Sequence, residues 1–316
     1  MFQYTVRRLL DLVFVLLGVS ILVFLMVRFI PGDAVAIMLG ANTDITPERV
    51  DALRRQIGLD LPVYEQYWNW LTGALRGDLG TSIWTGTPVG QEILARLPAT
   101  FEITLLALVL ALLLSFPLGV LAARARGTGG DVVVRVIAIV GLTLPSFWVG
   151  VLLLYFFSIY LPRWPAIGYV PFGEDPLGNL ARVALPTVAV SLPMVAGLTR
   201  ILRSSLLEVL SSDYVRTARA KGVSERVMLY KHALRNAMIP MITVIGVQLG
   251  YLLSGVVVIE QVFAIPGVGR LMVGAINERN YPLLQGVVLV VTGVFVVVNL
   301  LVDLAYAWID PRVEYS

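Results

Sequence analysis

Asp213-Tyr-Val-Arg-Thr-Ala-Arg-Ala-Lys-Gly222, continuing to Ile239-Pro240, decides how this chain is read. The stretch is basic and short-chained, and it lies between two long apolar runs. Thr217, Ala218, Ala220 and Gly222 keep one side slim, while Arg216, Arg219 and Lys221 carry charge. A short helix built this way can lie deep in a groove on another protein. The surrounding composition says where it would sit. Hydrophobic residues make up 58% of the chain and charged ones 14%, against about 45–50% and about 25% in soluble domains. An all-α integral membrane protein is the class this composition points to.

Working outward, apolar runs are expected to span within residues 1–30, then at about 101–123, 134–161, 183–202, 237–259 and 283–307. About 20 apolar residues cross a hydrocarbon core about 30 Å thick, so the expectation is six transmembrane helices. Arg200 and Arg203 sit at the end of the fourth. An Arg at the bilayer centre costs about 2.5–3.5 kcal/mol, so that helix is expected to end there, at the interface. A cleaved signal peptide is the rival reading of residues 1–30, helped by Ala34-Val-Ala36. Its apolar core would run only about 7–15 residues. The run from Leu12 to Val27 is longer and ends in Arg28, Pro31 and Asp33, which favours a retained first helix.

The basic residues are not pooled as in a nucleic-acid-binding domain but fall in loops between apolar runs, which is a topology signal. Arg124, Arg126 and Arg135 mark one connection as cytoplasmic. The loop at 203–236, flanked by Arg200, adds Arg203, Arg216, Arg219, Lys221, Arg226, Lys231 and Arg235. The loops at 162–182 and 260–282 show no such excess, so both termini are expected in the cytoplasm. Topology alone explains the number of arginines. It does not explain why Ala218, Ala220 and Gly222 interleave with them.

Three segments follow: 1–30 with the first span, an extramembrane loop at 31–99, and a core at 100–316. Within the loop, Thr46-Pro47 reads as a helix start, with Val50, Leu53 and Ile57 on one face and Gly58 closing the end. Tyr64, Tyr67, Trp68, Trp70 and Leu71 form an aromatic patch suited to headgroup level. Thr87-Pro88 reads as the start of another short helix carrying Val89, Ile93 and Leu97. The loop is therefore expected to be ordered rather than a solvated linker.

Chemistry of its own is hard to find in this chain. A phosphate-cradling loop needs Gly-Lys-Ser/Thr, yet the two lysines, Lys221 and Lys231, follow Ala220 and Tyr230. ATP hydrolysis, if used, belongs to another chain, and no metal or cofactor is expected here. The single histidine, His232, lies in the basic loop, and there is no cysteine. Ion-coupled transport would call for acids within the spans. Asp11, Glu102, Glu260 and Asp303 lie near span ends instead. The deep polar residues are Ser115, Thr143, Ser146, Ser191, Gln248 and Asn299. Hydroxyls in spans mostly pack or bond backbone. Gln248 and Asn299 are costlier to bury and could line a path or a helix interface, and Ser146 joins them as a path candidate. Pro117, Pro145, Pro193 and Pro240 can kink the spans.

Several motifs now add up. They are Pro31-Gly-Asp33, Gly58-Leu-Asp-Leu-Pro62, Gln66-Tyr67, Trp70-Leu71 and Gly77-Asp-Leu-Gly-Thr-Ser82. Further on come Leu144-Pro-Ser-Phe-Trp148, the stretch 213–222, His232-Ala-Leu-Arg-Asn236 and Asp310-Pro-Arg312. In this order and over nearly the whole length, the chain resembles the inner-membrane permease subunits of bacterial ABC importers for peptides and nickel, the DppB/OppB-like group. The resemblance implies a type I importer fold with a periplasmic loop after the first helix. It also implies a cytoplasmic coupling helix around Ser212–Val223, made of Asp213, Tyr214, Arg216, Thr217, Ala218, Arg219, Ala220, Lys221 and Gly222. The implied partners are a second permease, two ATP-binding subunits that hold ATP and Mg, and a periplasmic or lipid-anchored substrate-binding protein. One departure stands out. The general importer loop begins Glu-Ala-Ala, and aligned on Gly222 this chain has Arg216 where that Glu would be. The coupling role is therefore assigned to the helix rather than to one salt bridge. Dipeptide, oligopeptide, glutathione, nickel-chelate and oligosaccharide importers share this permease type, so the substrate stays open. Two other classes remain: a stand-alone secondary transporter or channel, and a non-transporting membrane receptor. Ion-driven uptake by the lone chain would mark the first, and partner binding without flux the second.

Overall fold

A computed structural model describes residues 2–29 and 60–309, and in these the chain is helical. Among the described residues no strand forms, and Thr81 and Pro88 make one isolated antiparallel bridge. The helices are α1 (Phe2–Phe29), α2 (Val63–Leu75), α3 (Val89–Arg124), α4 (Gly129–Thr143), α5 (Ser146–Tyr160) and α6 (Pro176–Leu210). After them come α7 (Asp213–Ala220), α8 (Leu234–Val262), α9 (Val268–Asn277) and α10 (Tyr281–Ile309). The expected helix after Thr46-Pro47 and the motifs at 31–33 and 310–312 lie outside the described residues. Two compact units divide the chain, one from residues 1–98 and 266–297, the other from 99–265 and 298–316.

In the first unit, Val89 and Ile93 share a small buried cluster with Val268, Leu271, Ala275, Leu283, Leu284 and Val287. A turn-rich strap at 76–88 is held over it by polar bonds. Asn280, 1% exposed, donates from its amide to Ser82 Oγ at 2.8 Å and accepts the Ile83 N–H at 3.2 Å. The Trp84 indole donates to the Glu278 carbonyl at 2.9 Å. Thr85 and Thr87 both donate their hydroxyls to Glu92 in the first turn of α3. The aromatic patch on α2 is split. Tyr67 and Trp70 pack on Phe24 of α1, with ring centroids 5.2 and 6.0 Å away, and Ser20 and Tyr67 share a hydrogen bond of 2.8 Å. Tyr64 and Trp68 stay exposed.

The helix expected after Thr87-Pro88 starts there but does not stop. It continues through Pro98 as one 36-residue helix to Arg124. The Val89 N–H in its first turn is bonded to the Gly80 carbonyl at 3.0 Å, and neither Pro98 nor Pro117 ends the helix.

The second unit is built around α6, whose Val190, Met194, Leu198, Leu202 and Leu206, each four residues on from the last, are all buried. α4, α5 and α8 pack against it. Asp175 caps α6 by accepting the Gly178 N–H at 2.9 Å, and Pro176 follows at the first turn, where its missing N–H costs nothing. α4 comes close at Gly141, where a Cβ would lie 3.0 Å from that of Ala196.

Two expectations need correcting. The span at 134–161 is not one helix, because α4 and α5 meet at a bend of 102°. Pro145 has no N–H to continue α4, and Leu144 before it is forced into extended backbone (φ −76°, ψ 125°). Nor does the 183–202 helix end at Arg203: α6 runs on to Leu210. Arg203 is neutralised instead. Its Nε and Nη2 donate to Asp131 at 2.7 and 2.8 Å, and Asp131 is 2% exposed. The Gly127 N–H (3.3 Å) and Arg135 (3.5 Å) complete the carboxylate's shell.

Among the described residues, three helices can cross a membrane by length and composition: α3, α6 and Tyr281–Val302 of α10. The bent α4–α5 pair makes a fourth if counted as one span, and the apolar part of α1, Leu10–Met26, is shorter.

Two outcomes follow for stability in detergent. Asn280→Ala strands the Ile83 N–H and the Ser82 hydroxyl and is expected to destabilise by about 1–3 kcal/mol, read as a lowered unfolding midpoint. Asp131→Asn and Arg203→Gln should each lower that midpoint, and the double variant should lose less than the sum of the two. Strict additivity would mean the pair does not act as a unit.

Candidate functional site

The basic stretch forms a helix, α7, bounded by Ser212 in extended backbone and by Gly222. Gly222 has φ +79°, a left-handed conformation that favours glycine, and the Val223 N–H returns to the Ala218 carbonyl at 3.2 Å. Asp213 in the first turn and Arg219 in the last complement the helix dipole.

Exposure divides α7 cleanly. Val215 is fully buried and Ala218, three residues on, is half-buried. Asp213, Arg216, Thr217 and Ala220 form the opposite, exposed stripe, and Tyr214, Arg219, Lys221 and Gly222 are exposed beside it. Ala218 therefore belongs to the inner edge rather than to the slim outer face expected of it, because it shares the helix side of Val215. Arg216 and Asp213 pair at 2.9 Å across one turn, both more than four-fifths exposed, so this pair adds little stability.

Two ties hold the helix in place. Arg219 donates to Glu225 at 2.8 Å, closing the turn after Gly222. The Asn236 amide donates to the Tyr214 hydroxyl at 2.8 Å, joining α7 to the first turn of α8. Between them, Met228–Ala233 forms a π-helical turn, with Met228, Leu229 and Ala233 buried and His232 half-buried. Residue spacing alone did not single out Val215, Glu225 or Asn236 as parts of this site. A polar Asn236 just before the apolar run at 237 is the one signal that could have pointed to any of them.

The path candidates are not brought together by hydrogen bonds among the described residues. Ser146 opens α5 directly after the 102° bend and is half-buried. Gln248 of α8 lies against α6 at Gly197, where a Cβ would be 2.7 Å from its Nε2, so glycine leaves room for the amide. Asn299 is half-buried on α10.

At the other end of the second unit, the acids placed near span ends are bound rather than free. Glu102 accepts from the Tyr169 hydroxyl at 2.6 Å, and fully buried Glu260 accepts from Thr100 at 2.5 Å. Burial, and then the Glu102 carboxylate, push the Tyr169 hydroxyl well above its ordinary range, which keeps it a donor. The Gly168 N–H is bonded to the Phe263 carbonyl at 2.9 Å.

Comparison with known proteins gives the family. Residues 115–315 match the family described as binding-protein-dependent transport system inner membrane component. Residues 1–104 match the N-terminal domain described for the same kind of membrane component. The chain is 41% identical over 312 residues to a Sinorhizobium fredii protein named "Probable peptide ABC transporter permease protein", covering 99% of both chains. It is 39% identical over 316 residues to the glutathione transport system permease protein of Escherichia coli, covering all of both. The chain belongs to the binding-protein-dependent transport system inner membrane component family, the multi-pass membrane permeases of ABC importers.

Proposed function

We propose that this chain is one of two permease subunits of an ATP-driven importer for peptides or a related small solute. In this reading six spans cross the inner membrane: α1, α3, the bent α4–α5 pair, α6, α8 and α10. Both termini, α7 and the 203–236 loop face the cytoplasm. Residues 31–99 and the loops at 162–182 and 260–282 face the periplasm and meet a substrate-binding protein. The core is residues 100–316, and ATP and Mg are held by two partner ATPase subunits.

The observation that carries the reading is the split of α7 into an anchored face and a free one. Val215 and the Tyr214–Asn236 and Arg219–Glu225 bonds hold the helix as a rigid lever. Asp213, Arg216, Thr217 and Ala220 are left to enter a groove on the ATPase. Closure of the ATPases pushes α7, and the Asn236 tie passes the displacement to α8, where Gln248 lies. A two-state path is what such a lever requires, giving alternating access. Gln248, Asn299 and Ser146 are assigned to the path at the permease interface. The peptide and glutathione permeases among the relatives support small peptides as the substrate class.

Ala220→Trp enlarges the free face without straining the backbone, unlike a change at Gly222. It is expected to cut co-purification with the ATPases and ATP-dependent uptake by about tenfold or more, the size of a ~1.4 kcal/mol interface defect. Wild-type levels of both would overturn the docking role. Gln248→Leu is expected to slow uptake several-fold while the subunits still assemble. Unchanged transport would remove Gln248 from the path.

A further inference from the structure

The cytoplasmic end of the second unit contains a cavity of about 490 Å³ beside α7. Its walls come from the last residues of α3, the end of α6, the last turn of α7 and the π-helical turn. Four guanidinium-bearing residues line it: Arg124, Arg126, Arg219 and Arg226. The one carboxylate is Glu225, and Arg219 already holds it at 2.8 Å. Among the described residues, no ion pair engages Arg124, Arg126 or Arg226. Three uncompensated cations therefore converge on one hollow.

Loop arginines placed only for topology need to be numerous on one side of the membrane. They do not need to converge on a cavity, and like charges brought together repel unless an anion joins them. The remaining lining gives the anion a character. Ala123, Leu207, Leu210 and Leu229 also line the cavity, so apolar surface lies next to the cations. A bare anion would leave that surface uncovered. A phosphodiester with a hydrocarbon-bearing glycerol would cover both. The depth also fits, because Ala123 and Arg124 are where the apolar length of α3 ends. That is the level of phosphate in the cytoplasmic leaflet, where basic pockets between helices meet anionic headgroups.

We propose that this cavity binds a phosphate group, supplied by the headgroup of an anionic phospholipid, next to α7. Arg124, Arg126 and Arg226 bind the phosphate, and the four apolar residues cover the start of the acyl chains. The occupant adjoins the Arg219–Glu225 pair that positions α7. The site does not depend on α7 docking an ATPase, because its occupancy is measured on the chain without partners.

The test uses the full-length chain purified in neutral detergent. It is titrated with dihexanoylphosphatidylglycerol, with dihexanoylphosphatidylcholine and with inorganic phosphate, and binding is read by native mass spectrometry and by the unfolding midpoint. The glycerol lipid is expected to bind and raise the midpoint, with the choline lipid and phosphate weaker by about tenfold or more. Replacing Arg124, Arg126 and Arg226 together by Gln should remove that preference, and replacing them together by Lys should retain much of it. Arg226→Gln alone, on the exposed rim, should weaken binding several-fold even if the triple Gln variant fails to fold. Arg200, Lys231 and Arg235 replaced together by Gln remove as much charge outside the cavity and should leave binding intact. Equal binding of the two lipids, or equal loss in that second triple, would overturn the site. Phosphate binding as tightly as the glycerol lipid would keep the anion site but overturn the lipid as its source.

Discussion

Everything around α7 depends on how α6 carries charge out of an apolar core. One face of the helix is buried from Val183 to Leu206, and Arg203 lies near the end of that stretch, half-buried. A guanidinium held there needs a partner, and Asp131 supplies a two-pronged one. A buried pair of this kind contributes little net stability, since desolvation offsets most of the attraction. Its value lies in geometry. It fixes the first turn of α4 against the last third of α6, and so sets where α6 releases the chain into α7.

That placement explains why so short a helix can be rigid. Eight residues in isolation would scarcely stay helical. α7 is stabilised by its surroundings: Val215 is buried, Gly222 turns the chain back, and Tyr214 and Arg219 each bond to a neighbouring element. The π-helical turn that follows widens the backbone by one residue just where the chain must redirect into α8. Such turns recur at functional positions in helices. α7 is thereby tied directly to the first turn of α8 through Asn236.

Much of this was readable from residue chemistry, and the misreadings have physical causes. The basic stretch announced a helix because its charges and small residues alternate at helical spacing. Its burial pattern was not legible, since whether Val215 or Ala218 faces inward depends on the angle at which α6 ends. Leu144-Pro145 signalled a kink, but composition cannot give the size of a bend set by what α5 packs against. The expectation that α6 stops at Arg203 treated the charge alone, and a partner 72 residues away in sequence changes that cost. Thr87-Pro88 was a true helix start whose end lay far beyond the short helix expected, because the helix runs on through Pro98 into the apolar run. The surroundings of the path candidates were the least legible. Gln248 needs Gly197 opposite it, a pairing that no local pattern encodes.

The same kind of charge thus does different work at neighbouring places. Arg203 is half-buried and paired to the buried Asp131, so it organises the helices. Arg216 is exposed and only loosely paired, so it is free for a partner surface. Arg124, Arg126 and Arg226 are gathered around a hollow with apolar residues in its lining, a geometry that rewards an amphipathic anion. A topology rule that counts arginines cannot separate these three cases, since each adds one positive charge to the same side. Burial and the nearest carboxylate separate them. Lever and lipid pocket share one residue, Arg219, whose bond to Glu225 lines the cavity and closes the turn after α7. An anion entering the pocket must therefore leave that bond in place or draw Arg219 away from it, and the second case would loosen the lever at its C-terminal end.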